Sequence, residues 1–225
     1  MARRPREGLC VYCGSFGIIT KDHVPPKCLF PPETRVNLIT VPACPTCHDT
    51  FKLDDEYFRN TLSFHPALPE GVASEYLREK TRRARSGPSL NKPKTIVEIA
   101  IPKLEGAGLI EHPQILINGL DASRIKSTAR RIIVGLYGSY MGQPLPETHE
   151  ITVTVLDFQK DLSGVSHPNV QEVLSLLGKH GFHRRFDEVF ELRFLPTDED
   201  KKSSLWWGNL HEAFGFLGYA VPRDA

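Results

Sequence analysis

Neither sign of charge predominates in this sequence. Its 28 Lys and Arg stand against 27 Asp and Glu, for a formal net charge of +1. Net charge therefore names no partner, and any electrostatic footprint has to be local. Long apolar runs are also missing. The opening residues MARRPRE are basic, but no apolar segment follows them, so a secretory leader is not expected. No stretch is long and apolar enough to span a bilayer, so no membrane-spanning helix is expected. The expected compartment is the cytoplasm, with no membrane partner. The chain shows no internal repeat, so a solenoid is not expected either.

Cysteine is scarce, with five residues in 225, and unevenly placed. In a cytoplasmic protein, cysteines bind metal or do chemistry more often than they form disulfides. Cys10-Val-Tyr-Cys13 and Cys44-Pro-Thr-Cys47 are two CxxC knuckles. Such knuckles supply four thiolates to Zn²⁺ at about 2.3 Å and leave no open position, so the zinc expected here is structural. The two knuckles are separated by 30 residues. A zinc-ribbon hairpin usually encloses about 15–20 residues, so this clamp holds something larger. Cys28 reads as a small, semi-buried apolar residue.

Residues 1–65 are short of long helical patterns and would bury little core without a metal. Their one helical segment runs from His48 to Leu62, with Phe51, Leu53, Tyr57, Phe58 and Leu62 at mixed three- and four-residue spacing. A second helix is expected from Val72 to Ala84, and the following SGPSLNKPK reads as a linker. Beyond it, TIVEIAIPKL and LIEHPQILIN read as strands. Ile125, Ala129, Ile132, Ile133, Leu136, Tyr137 and Tyr140 mark an amphipathic helix, capped by Asp121 or Ser123 and stopped at Gly142 and Pro144. HEITVTVLDF, EVFELRFLP and EAFGFLGYAVP read as strands, SSLWWGNL as a further one, and HPNVQEVLSLLGKHG as a helix. The fold class expected is α+β, with a mainly antiparallel sheet in the C-terminal part.

The clamp encloses polar residues that a structural zinc loop does not need. Asp22-His23 stands in TKDHVPPKCLF, Asn37 opens NLITV, and His48 directly follows the second knuckle. The succession CVYC, DHVPPK, NL, CPTCH and FK resembles the HNH endonuclease family, over roughly residues 8–60. The resemblance implies a ββα-metal, treble-clef-like module over residues 1–65; the remaining residues, read on their own, give a basic helix and linker over 66–94 and an α+β domain over 95–225 of unassigned role, specificity or docking. It implies that His23 is the general base and that Asp22 and His48 hold one catalytic divalent cation, Mg²⁺, Mn²⁺ or Ni²⁺. Asn37 would fix the loop carrying His23. The implied reaction is hydrolysis of phosphodiester bonds in DNA. His48 stands where the family often has Asn, and imidazole favours the softer of these cations.

Physical chemistry agrees with such roles. Imidazole titrates near neutrality, as base catalysis requires. Neighbouring residues on a strand face opposite ways, so Asp22 and His23 can serve cation and water separately. Lys52, Arg78, Arg82, Arg83 and Arg85 are candidate phosphate contacts. Arg124, Lys126, Arg130 and Arg131 form a second candidate strip. Asp49, Asp54 and Asp55 read as a solvated acidic face, with Lys52 able to pair with Asp55 or Glu56. His180, His183, Arg184 and Arg185 read as loop charge, and Trp206-Trp207 as buried aromatics. Two other functions fit the same residues: a non-catalytic zinc module that binds nucleic acid or protein, and a nuclease subunit that docks a protein partner through its C-terminal part.

Overall fold

The computed structural model describes residues 6–65, 67–86, 121–156, 168–197 and 202–223. The two strands expected between residues 95 and 118 lie outside them. The described chain is a mixed α/β structure with two antiparallel sheets and four α-helices. No helix among the described residues is long and apolar enough to cross a membrane.

The first sheet has the order β1-β2-β3, from β1 (Arg6–Leu9), β2 (Phe16–Val24) and β3 (Ile39–Ala43). In β3, Ile39, Val41 and Ala43 alternate inward while Thr40 and Pro42 face out, the period of a half-buried strand. β2 pairs with β3 in the register Asp22 to Val41 and His23 to Thr40. Asp22-His23 therefore lies within β2, at adjacent positions that face opposite ways.

Helix α1 (Pro45–Ser63) starts inside the second knuckle, three residues before His48. Cys44 is its N-cap, its sulfur accepting from the Cys47 N–H, and Pro45 opens the first turn, where a missing N–H costs nothing. Helix α2 (Val72–Ser86) packs on α1, and the Thr81 hydroxyl donates to Asn60 Oδ1 at 3.2 Å.

The second sheet has five strands in the order β4-β8-β7-β6-β5, all antiparallel: β4 (His149–Leu156), β5 (Phe182–Phe186), β6 (Phe190–Pro196), β7 (Ser204–Leu210) and β8 (Phe214–Pro222). Residues 182–186 are thus an edge strand, not a loop, and their charges are paired along it: His183 with Glu191 at 3.0 Å and Arg185 with Glu212 at 2.9 Å. Helix α3 (Ala122–Met141) covers one face and α4 (Pro168–His180) the other. Trp206 and Trp207 are adjacent on β7 and point to opposite faces. Trp206 stacks on Phe194 at 4.7 Å and packs near Tyr137, while Trp207 joins Leu156, Val170, Leu177 and Leu217 under α4.

Helix α3 also joins the two sheets. Asp121 caps it by accepting from the Ser123 and Arg124 amides, and Gly142, in the left-handed region at φ 71°, ends it. A Cβ on Gly138 would lie 1.8 Å from Val11 Cγ2, and one on Gly135 would lie 2.6 Å from Val24 Cγ2. These glycines let the helix backbone press on the first sheet. One apolar cluster accordingly runs from Val24, Phe30 and Phe58 through Ile132 and Leu136 to Phe190 and Phe216.

Candidate metal and catalytic site

Four sulfurs converge at one end of the first sheet. The first knuckle closes with the Gly14 amide on the Cys10 carbonyl at 2.8 Å, with Gly14 at φ 70°. The second is the N-cap turn of α1. The ligand atoms of Cys10, Cys13, Cys44 and Cys47 all lie within 4.8 Å of one another, and the Cys13 and Cys44 sulfurs are 3.8 Å apart. Four bonds of about 2.3 Å to a tetrahedral zinc put sulfurs about 3.8 Å apart, so the group can hold a zinc ion as it stands. All five cysteines are free thiols. Cys28 is apart from the cluster. Its sulfur faces the Asp55 carbonyl at 3.8 Å, and burial pushes its thiol up to about 12.

Asp22 is 5 % exposed. Its Oδ2 accepts from the Tyr12 hydroxyl at 2.6 Å and from Arg131 Nη1 at 3.3 Å. Burial first, and then the Asp22 charge, raise the Tyr12 phenol well above its ordinary range, so its O–H is the donor. Asp22 Oδ1 points the other way, 3.9 Å from His48 Nε2. That distance is too long for a hydrogen bond.

The His48 tautomer follows from its other nitrogen. The Thr20 hydroxyl donates to the Ala43 carbonyl at 3.1 Å, and Thr20 Oγ1 lies 3.2 Å from His48 Nδ1. With its one proton committed, Thr20 accepts, and His48 Nδ1 carries the hydrogen. In the neutral ring Nε2 then presents a lone pair to the carboxylate oxygen, and in the imidazolium it presents a proton. The neutral ring leaves two electron-pair donors 3.9 Å apart, an arrangement that a cation would satisfy. Donors bonded at about 2.1 Å to one cation at cis octahedral or tetrahedral angles lie about 3.0–3.4 Å apart, so the two side chains would hold one ion after closing by less than about 1 Å. A ligand histidine whose second nitrogen donates to a neighbour is the usual arrangement around a metal.

His23 lies on β2 facing away from Asp22 and is half-buried. Burial lowers its pKa, Lys27, Arg35 and His48 lower it further, and Asp22 opposes them. The imidazole is therefore held neutral at ordinary pH, the form that can accept a proton. Asn37 does not join this group. It is exposed in a left-handed turn at φ 59°, and among the described residues no hydrogen bond reaches its side chain. Other residues tie the enclosed loop down. Arg35 donates to the Phe30 carbonyl at 2.9 Å and to the Tyr76 hydroxyl at 2.6 Å, and His211 bonds the Leu29 carbonyl at 3.0 Å.

Of the acidic residues read as a solvated face of α1, Asp49 is exposed, whereas Asp54 and Asp55 are paired with arginines. Asp54 bonds Arg124 at 2.7 Å, and Asp55 bonds Arg131. Burial pushes the Asp55 carboxyl up to about 7, against the pull of Arg131. These pairs also take two members out of the second basic strip. Arg124 and Arg131 turn inward to α1, Arg130 donates to the Ile151 carbonyl at 3.1 Å, and Lys126 and Arg130 are exposed. Lys52 is exposed and pairs with Asp49 at 2.6 Å, one turn back, and not with Asp55 or Glu56. Arg78, Arg82 and Arg83 are exposed on α2, the last two clasping Glu79. The Arg85 side chain lies outside the description.

Sequence reasoning gave Tyr12 and Thr20 no role, and gave Arg131 and Asp55 roles other than the ones they take here. Arg131 had a signal. It shares a helix face with Gly135 and Gly138, at i+4 and i+7, and small residues on one face mark a close helix contact. No family model, no curated protein and no solved structure matches this chain.

Proposed function

We propose that the chain is a metal-dependent nuclease of the HNH type that hydrolyses phosphodiester bonds in DNA. One observation carries the reading: Asp22 Oδ1 and His48 Nε2 face each other at 3.9 Å, with His23 next to Asp22 on the same strand and held neutral. A divalent cation bound there would stabilise negative charge on a scissile phosphate. His23, on the opposite face of the strand, takes the proton from the attacking water. The first turn of α1 begins beside His48 and favours an anionic group through its free amides and dipole. Lys52 is held only by an exposed pair with Asp49, a weak interaction that a phosphate can replace. The four-cysteine clamp fixes β2, β3 and α1 so that these side chains keep their spacing.

A second reading has its own observation. Asp22 Oδ2 is already paired with Arg131, as it would be in a zinc module that only binds nucleic acid or protein. Plasmid cleavage with EDTA, Mg²⁺, Mn²⁺ or Ni²⁺ separates the two. We expect nicking that needs a divalent cation and falls by about 10²–10⁴-fold in His23→Ala, the range for losing a general base, at unchanged zinc content. Asp22→Ala and His48→Ala should each shift the cation titration. No cleavage with any cation would leave the binding module, or a nuclease subunit that needs a partner.

A further inference from the structure

We infer that Arg131, together with Tyr12, is a positioning pair that decides which oxygen of Asp22 the site presents. Helix α3 then completes the centre, and residues 1–65 do not suffice alone. The inference rests on the nuclease reading above.

Asp22 has two chemically equivalent oxygens, and a carboxylate at the edge of a site ordinarily turns to offer either or both. Here it cannot. Oδ2 takes the Tyr12 O–H at 2.6 Å and Arg131 Nη1 at 3.3 Å, which leaves Oδ1 alone toward His48. The clamp is itself clamped. Arg131 is 6 % exposed, its second terminal nitrogen is bonded to Asp55, and its guanidinium carbon lies 4.5 Å from the Phe51 ring centre. Tyr12 closes the ring of contacts with its own edge on Phe51 at 4.8 Å. Phe51 and Asp55 stand on α1, one and two turns beyond His48. The helix that supplies one candidate ligand therefore also anchors the cation that orients the other.

The lost interaction differs in kind from ordinary packing. A planar guanidinium reaches two carboxylates at once and stacks on an aromatic face, whereas a lysine ammonium does neither as well. Replacing the fork keeps the charge and loses the geometry. Groups that orient a metal ligand from behind typically change metal affinity or activity by about 10–100-fold when removed.

The test uses the full-length, zinc-loaded protein and Mn²⁺ as the probe. Mn²⁺ binding is followed by calorimetry in wild type, His48→Ala, Arg131→Lys and Tyr12→Phe, with zinc content and melting temperature measured on each. We expect the Mn²⁺ midpoint to weaken about 10–100-fold in Arg131→Lys and about tenfold in Tyr12→Phe, with zinc retained. Should Arg131→Lys fail to fold, the Tyr12→Phe titration decides by itself. Wild-type midpoints in folded variants, with only the melting temperature lowered, would overturn the positioning role while leaving the nuclease reading intact. A wild-type protein that binds no Mn²⁺ beyond His48→Ala would overturn both.

Discussion

Leu9, Phe16 and Ile18 lie exposed on one face of the three-stranded sheet, whereas the five-stranded sheet is covered by a helix on each side. The first sheet compensates for thin burial with polar fixings: four clustered thiols, the Tyr12-Asp22-Arg131 bonds and the His48-Thr20 bond. The second relies on aromatic contacts, with Trp206 against Phe194, Tyr137 and Tyr140. Small modules that cannot bury enough apolar surface need such staples. The same shortage of core leaves ionisable groups at hand, and the candidate chemistry sits where the structure is held by polar contacts. The well-packed sheet shows no comparable cluster of metal-ligating groups among the described residues.

The sharpest way to break this contrast is to remove the clamp. Zinc contributes about 10–16 kcal/mol in small zinc modules near neutral pH, more than any side-chain contact. Cys44→Ser, or wild type with a chelator, should release zinc and lose hydrogen-exchange protection across β1 to β3. Amides of β6 to β8 should keep theirs. Equal loss in both sheets would mean that the cluster running through α3 makes one cooperative unit, and the contrast between them would fall.

The converse change tests the other half. Trp206 is fully buried beside Tyr137, Tyr140 and Phe194. Trp206→Ala should lower stability by about 3–5 kcal/mol in urea unfolding, through lost transfer energy and an unfilled cavity. Zinc content should not change. A variant that also sheds zinc would show that the clamp depends on the aromatic sheet.

These two regions also differ in how openly the sequence announces them. The knuckles are legible because tetrahedral thiolate coordination demands a fixed local spacing, and the structure brings all four sulfurs together. Strands β4 and β6 to β8 and helices α3 and α4 were visible as alternation or as a 3.6-residue period. The bridging contacts were not. Asp22 and Arg131 are 109 positions apart, and His211 and Leu29 are 182 apart. No local rule links residues so distant. Asp54 and Asp55 read as solvated for the same reason: their partners come from a helix about seventy residues later. In β2, Lys21-Asp22-His23 lacks apolar alternation, although its backbone pairs with β3.

His211 offers the finest test of how the two sheets are joined. It sits at the tip of the β7–β8 hairpin, where His211 and Glu212 both take left-handed angles, φ 52° and 55°, in a turn that Asn-Gly usually makes. Its ring is 1 % exposed and bonds the Leu29 carbonyl through Nε2 at 3.0 Å, so that nitrogen carries the hydrogen. Burial brings its pKa down to about 4 from the ordinary 6.5. As pH falls below 6.5, the unfolded chain takes up a proton that the folded chain refuses until about pH 4. Stability contributed by the neutral ring is therefore complete above that window and declines through it, by about 2 kcal/mol between pH 7 and pH 5. His211→Gln keeps an amide donor for Leu29 and cannot titrate. Urea unfolding at both pH values should show a smaller acid loss in the variant than in wild type, by about that amount. Carboxylates titrate alike in both proteins and cancel in the difference. An equal acid loss would mean that the hairpin tip is wet enough to accept its proton, and that the aromatic sheet grips the clamped module elsewhere, through α3 alone.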